Sequence, residues 1–131
     1  MIDDVGILRT KVAFASLTQP DNRRELEVMV DTGSEYNWVP RAVLTDLGVE
    51  PQDTESFETA DGRVLQREVG SALLYAAGRV RATVVVFADE GDMTLLGAIG
   101  LEALNLRVDL TRRKLVPAGP IPAAALRAAA A

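Results

Sequence analysis

Val28-Met29-Val30-Asp31-Thr32-Gly33-Ser34 is an apolar strand that runs directly into an acid, a hydroxyl, a glycine and a second hydroxyl. Leu26, Val28 and Val30 fall on one face of residues 25–30, the alternation of a half-buried strand. The carboxylate of Asp31 is therefore delivered at the end of a strand anchored in a core. Taken alone, Asp-Thr-Gly-Ser also reads as an ordinary turn, since Asp, Gly and Ser favour turns for local reasons. A second apolar stretch that ends at glycine, Leu95-Leu96-Gly97-Ala98-Ile99-Gly100, lifts the motif above that reading.

Outward from these two stretches the chain reads as short strands. Residues 7–17, around Val12-Ala13-Phe14, form a first strand, and Pro20-Asp21-Asn22 a turn. Pro40 at a first helical position, Gly48 just past the end and the stripe Val43, Leu44, Leu47 predict a helix over 41–47. Residues 55–60 and 64–69 flank Asp61-Gly62, a two-residue hairpin signal. Ala77-Gly78 turns the chain again before the alternating Val80-Arg81-Ala82-Thr83-Val84 and the fully apolar Val85-Val86-Phe87. Leu101-Glu102-Ala103-Leu104 predicts one helical turn or slightly more. Arg107-Val108-Asp109 and Lys114-Leu115-Val116 predict a last pair of strands around Thr111-Arg112-Arg113. No solenoid-length repeat is visible. Short strands with turn signals roughly 8–12 residues apart predict an all-β barrel- or sandwich-like domain with two brief helices.

A chain of 131 residues fits one compact domain, and 48% hydrophobic residues suffice for a core. No apolar run approaches membrane-spanning length, so no membrane partner is expected. Met1-Ile2-Asp3-Asp4 is acidic where a secretory leader is basic and then apolar, so a cytoplasmic protein is expected. The chain has no cysteine and no histidine. That excludes disulfides, thiolate or imidazole metal sites, cysteine nucleophiles and serine–histidine–aspartate triads. A net charge of -5 argues against nucleic acid as a partner, because phosphate binding needs a basic footprint. Any chemistry must rest on carboxylates, hydroxyls, Lys, Arg or Tyr.

Together these stretches resemble the aspartic proteases in their small, single-lobed, retropepsin-like (clan AA) form. The order of strand, Asp-Thr-Gly loop, helix, Asp-Gly hairpin, strand, apolar-apolar-Gly and short helix matches that family over residues 7–117. The stretch from Leu95 to Leu104 and the hairpin Ala60-Asp61-Gly62-Arg63 are similar to those of small prokaryotic members. The resemblance implies an all-β retropepsin-like barrel with one or two short helices. It also implies a homodimer, since the family needs two aspartates and this chain carries one Asp-Thr-Gly.

Each chain would then contribute Asp31 to a shared site on a two-fold axis. Two carboxylates close enough to share one proton cannot both ionise. The ionised member would draw a proton from a water held between them, and the protonated member would donate to the scissile carbonyl oxygen. The expected substrate is an extended peptide, and no metal or organic cofactor is implied. Gly33 would let the backbone approach the carboxylate and donate its N–H to Asp31. By resemblance, the Thr32 hydroxyl reaches across the axis to lock the two loops, and the Ser34 hydroxyl bonds the outer aspartate oxygen. Ala60, Asp61, Gly62 and Arg63 match the flap, a β-arm that closes over substrate, although it is poorer in glycine than retroviral flaps. Gly97 matches the second-loop glycine, where a segment threads beside the aspartate. Leu95, Leu96 and Ile99 are expected in the core.

Some residues fit that pattern poorly. Glu35 follows the motif where the family usually has a small residue or threonine. It either faces solvent, the preferred reading, or presses on the shared proton and shifts the pH optimum upward. Asn37 and Trp38 are also unusual, and Trp38 is expected in the core or at an interface. Asp89, Glu90 and Asp92 read as a solvated loop rather than a cation site, and Arg112-Arg113-Lys114 as a charged turn. Residues 1–117 are expected to form the protease domain and residues 118–131 a flexible Pro/Ala-rich tail. The rival reading is a weak or inactive dimeric peptide-binding module on the same fold.

Overall fold

The computed structural model describes residues 7–124 of the chain. The elements follow in the order β1 (Arg9–Ala15), β2 (Arg24–Val30), β3 (Asn37–Pro40), α1 (Arg41–Leu47), β4 (Asp53–Glu58) and β5 (Val64–Ala76). After these come β6 (Arg79–Ala88), β7 (Leu95–Leu96), α2 (Ala98–Leu104), β8 (Leu106–Asp109) and β9 (Lys114–Pro117). Seven strands form one sheet in the order β1-β2-β7-β3-β6-β5-β4, and a β1–β5 pairing closes it into a barrel. β4 lies outside that closure, paired with β5 alone, so β4 and the first half of β5 project as an arm. β8 and β9 make a separate two-stranded sheet.

The alternation of the strands fills the barrel. Val12 and Phe14 of β1, Val28 of β2, Val39 of β3, Ala72 and Leu74 of β5, and Val85 and Phe87 of β6 belong to one buried cluster. Leu44 and Leu47 of α1 and Leu101 and Leu104 of α2 join it. Each large side chain removed from water in this way stabilises the fold by about 1.5–3 kcal/mol before entropy is counted. Val85, Val86 and Phe87 are buried on both faces, which explains their unbroken apolar run.

Several elements depart from expectation. Pro40 is not the first helical residue: its ψ of 132° is extended, it still pairs with Ala88, and α1 begins at Arg41. The helix stops as expected at Gly48, whose φ of 82° is left-handed and whose N–H reaches the carbonyls of Leu44 and Thr45. β5 continues to Ala76, well past Val69. Gly70 is no break there, because a Cβ at this buried position would come within 2.7 Å of the Glu50 carbonyl oxygen. α2 starts at Ala98 rather than Leu101. The N–H groups of Ala98 and Ile99 donate to the carbonyls of Ser34 and Glu35, which draws this apolar segment out of the strand ladder. Ala118 and Gly119 are held to Asn105 by backbone and side-chain hydrogen bonds of 2.9 and 2.8 Å. Residues 125–131, half of the expected tail, lie outside the described residues.

Candidate active site

Asp31 stands at the first position beyond β2. The parallel β2–β7 pairing sets Val30 beside Leu96, and the Asp31 N–H donates to the Leu96 carbonyl at 2.9 Å. Gly33 N–H donates to Asp31 Oδ1 at 2.9 Å, as expected, and Ser34 N–H donates to the Asp31 carbonyl at 3.1 Å. Those two bonds fold the loop back on the carboxylate. A Cβ on Gly33 would sit 3.2 Å from Asp31 Oδ1, so close approach, rather than a left-handed φ, is what favours glycine here. Among the described residues, Asp31 Oδ2 and the exposed Thr32 hydroxyl have no hydrogen-bond partner.

The Ser34 hydroxyl differs from expectation. It donates to the Tyr36 carbonyl at 2.9 Å, not to the aspartate, and so braces the loop from within. Glu35 is exposed, and its carbonyl accepts from Ile99.

The segment around Gly97 packs directly beneath this loop. A Cβ on Gly97 would lie 2.3 Å from the Tyr36 carbonyl oxygen and 2.7 Å from that of Ser34, distances no side chain tolerates. Leu96 is fully buried, whereas Leu95 and Ile99, expected in the core, are half-buried. Beside Gly97 lies a residue marked in the sequence only as unusual. Asn37 is fully buried; its Oδ1 accepts from Gly97 N–H at 3.0 Å and its Nδ2 donates to the Val84 carbonyl at 3.0 Å. The one signal available was an asparagine in an apolar setting, and asparagine is depleted in strands.

The Ala60-Asp61-Gly62-Arg63 stretch tops the projecting β4–β5 arm. Its closing pair is Thr59 with Arg63, so the turn holds three residues rather than two, with Gly62 left-handed at φ 86°. The Thr59 hydroxyl, and then Arg63, hold the Asp61 carboxyl below the usual aspartate range. Phe57, near the tip of β4, meets Trp38 edge-on at 5.0 Å and Tyr36 at 5.8 Å between ring centroids. The half-buried Trp38 is thus a contact between the arm and the strand that follows the Asp31 loop.

The base of the arm is tied by charge. Arg67 of β5 forks onto Asp92 with Nε and Nη2 bonds of 2.8 and 3.0 Å, and Arg41 bonds both Glu68 and Asp89. The Arg67 hydrogen bond is the main reason the Asp92 carboxyl is held below the usual aspartate range. Asp89 and Asp92 therefore serve as anion partners for arginines. Among the described residues, no group of three or more acids is placed to hold a metal ion.

A barrel closed by β1 and β5, an acid-bearing loop beyond β2, a glycine segment threaded beneath it and a projecting hairpin define a retropepsin-like aspartic protease. A family model described as aspartyl protease matches residues 18–103, and the chain belongs to that family. No curated protein matches the chain. Among solved structures it is similar to EIAV protease complexed with the inhibitor HBY-793, at 18% identity and a TM-score of 0.55, covering 78% of this chain and 91% of that one. It is also similar to the retroviral protease-like domain of Ddi1 from Leishmania major, at 17% identity and a TM-score of 0.54, covering 88% and 94%. A retropepsin-like aspartic protease from Rickettsia conorii gives 18% identity and a TM-score of 0.51, covering 87% and 83%. At these identities the likeness establishes the fold. Among the described residues, no helix is long and apolar enough to cross a membrane.

Proposed function

We propose that the chain is an aspartic endopeptidase whose site forms when two copies meet about a two-fold axis, each supplying Asp31. The observation that carries the reading is the state of that carboxylate. Gly33 N–H holds one oxygen, while the other has no partner among the described residues, beside an exposed and equally unpartnered Thr32 hydroxyl. We read it as half of a shared-proton pair, whose other half, and a partner for the Thr32 hydroxyl, a second chain would supply. In the dimer one Asp31 takes the proton of a bound water, the water oxygen attacks the peptide carbonyl, and the other Asp31 protonates the carbonyl oxygen. Collapse of the tetrahedral intermediate passes a proton to the leaving nitrogen and breaks the bond. The two chains' Thr32 hydroxyls lock the loops to each other, which lowers reorganisation during reaction. The β4–β5 arms act as flaps over an extended peptide and exclude water from the reacting centre.

The test is cleavage of an unfolded protein from about pH 3 to 7, the range in which paired carboxylates titrate, with Asp31→Asn alongside. Cleavage by the wild type and its loss by at least about a thousandfold in the variant supports the shared-aspartate site. A folded, dimeric wild type that cleaves nothing, or a variant that cleaves equally well, overturns it.

A further inference from the structure

We infer that Asn37 is a positioning residue, the lock that holds the Asp31 loop in register over the Gly97 segment. The inference rests on the protease reading for its catalytic consequence but on geometry alone for the lock itself. Asn37 is completely buried, and a buried amide is destabilising unless its polar atoms are paired. Here they are paired to two different parts of the fold. Oδ1 takes the Gly97 N–H, 60 residues away, while Nδ2 reaches the Val84 carbonyl at 3.0 Å and Thr83 Oγ1 at 3.3 Å on β6. The contacts need an acceptor and a donor on one short, flat group. Aspartate would set a carboxylate against the Val84 carbonyl, and leucine would offer neither function.

The position of the lock explains its reach. The loop from Asp31 to Asn37 is stitched to residues 96–99 at four points: Asp31 N–H to the Leu96 carbonyl, Ala98 N–H to Ser34, Ile99 N–H to Glu35, and Gly97 N–H to Asn37. Three of these join backbone to backbone. The fourth is a side-chain bond, and it also reaches the neighbouring strand. The fit around it is tight, since a Cβ on Gly100 would lie 2.5 Å from Asn37 Oδ1. Gly97 and Gly100 therefore share a reason: the first admits the loop carbonyls, the second admits the amide. Asn37 itself is buried and meets no peptide, so its loss should displace Asp31 without weakening substrate binding.

Two variants test this, each read in two ways on the full chain. Asn37→Leu deletes the amide while keeping the number of side-chain heavy atoms, in a bulkier group. Gly100→Ala keeps the amide but pushes it off Gly97, and serves if the first fails to fold. Amide exchange should quicken at Gly97, Ala98 and Ile99 by about tenfold or more, while the amides of β1 hold their rate, since a buried bond is lost only locally. In cleavage, kcat per folded dimer should fall about tenfold or more with KM held within about twofold, because a small displacement costs turnover. Unchanged exchange at Gly97 in whichever variants fold overturns the lock. Quickened exchange with unchanged kcat overturns the positioning role. A wild type that cleaves nothing sinks the protease reading instead, and the exchange result then decides the lock alone.

Discussion

At the scale of single residues, the site depends on glycines where no Cβ fits. Gly97 is the most constrained, with the Tyr36 carbonyl oxygen at 2.3 Å from where a Cβ would stand. That neighbour is backbone, so relief requires moving the Asp31 loop itself. Gly97→Ala should therefore destabilise the fold by about 3 kcal/mol, the upper part of the usual range for overpacking. Urea unfolding at matched protein concentration measures it, and a loss below about 1 kcal/mol would mean the loop yields more easily than its hydrogen bonds suggest. Gly33→Ala faces a milder contact, 3.2 Å to Asp31 Oδ1, and one that a side-chain rotation relieves. Its effect should fall on activity more than on stability, because the atom that moves is the carboxylate. Asp31, Gly33 and Gly97 were all legible in the sequence as a motif. Asn37 was not: its role depends on partners at Thr83, Val84 and Gly97, and its local preference argues against a strand.

At the scale of elements, the β4–β5 arm is held at two places by different forces. Near its tip, Phe57 packs edge-on against Trp38 and Tyr36, and each such pair contributes about 0.5–1.5 kcal/mol beyond burial. Phe57→Ala should free the tip. Limited proteolysis within residues 53–66 should quicken several-fold, with stability of the barrel lowered far less, because β4 lies outside the closure. Equal cleavage of wild type and variant would show that the aromatic contact does not hold the arm down. At its base the Arg67–Asp92 fork introduces a pH dependence. The folded-state pKa of Asp92 is lowered, so the pair's contribution is complete above the unfolded aspartate value of about 4 and is lost as pH falls through the folded value. Both side chains are mostly covered and the geometry is bidentate, so the contribution is about 1 kcal/mol. Asp92→Asn should thus be less stable than wild type at pH 6, and the gap should close in stronger acid. Urea titrations at the two ends of that range decide it, and a gap that persists in acid would remove charge as the cause.

At the scale of the whole molecule, the proposed chemistry requires a second chain. A mass measurement in solution should give twice the chain mass, and cleavage per chain should fall on dilution as dimers separate. A strict monomer at micromolar concentration that still cleaves would sink the shared site. In the proposed dimer the Asp31 loops of the two chains meet. The barrel that carries them is complete within one chain, its ring closed by the β1–β5 pairing from Ala13–Tyr75 to Ala15–Leu73. Folding of the barrel and assembly of the site are accordingly separable, and a folded monomer without activity is an expected state at low concentration.

What the sequence determined by itself is local in origin. The acid at a strand end, the Asp-Gly turn, the glycine that stops α1 and the apolar run of β6 each follow from preferences within a few residues. Those signals were enough to name the family, because its motif is made of them. The tertiary structure decided whatever depends on partners far along the chain. β5 runs through Gly70 because the Glu50 carbonyl needs the space of a missing Cβ. α2 begins early because the carbonyls of Ser34 and Glu35 claim its first N–H groups. Asn37 is drawn into the core to pair with groups on two other segments. In each case a long-range hydrogen bond or steric limit outweighs a local preference of less than about 1 kcal/mol, and such bonds leave no periodic trace in the sequence.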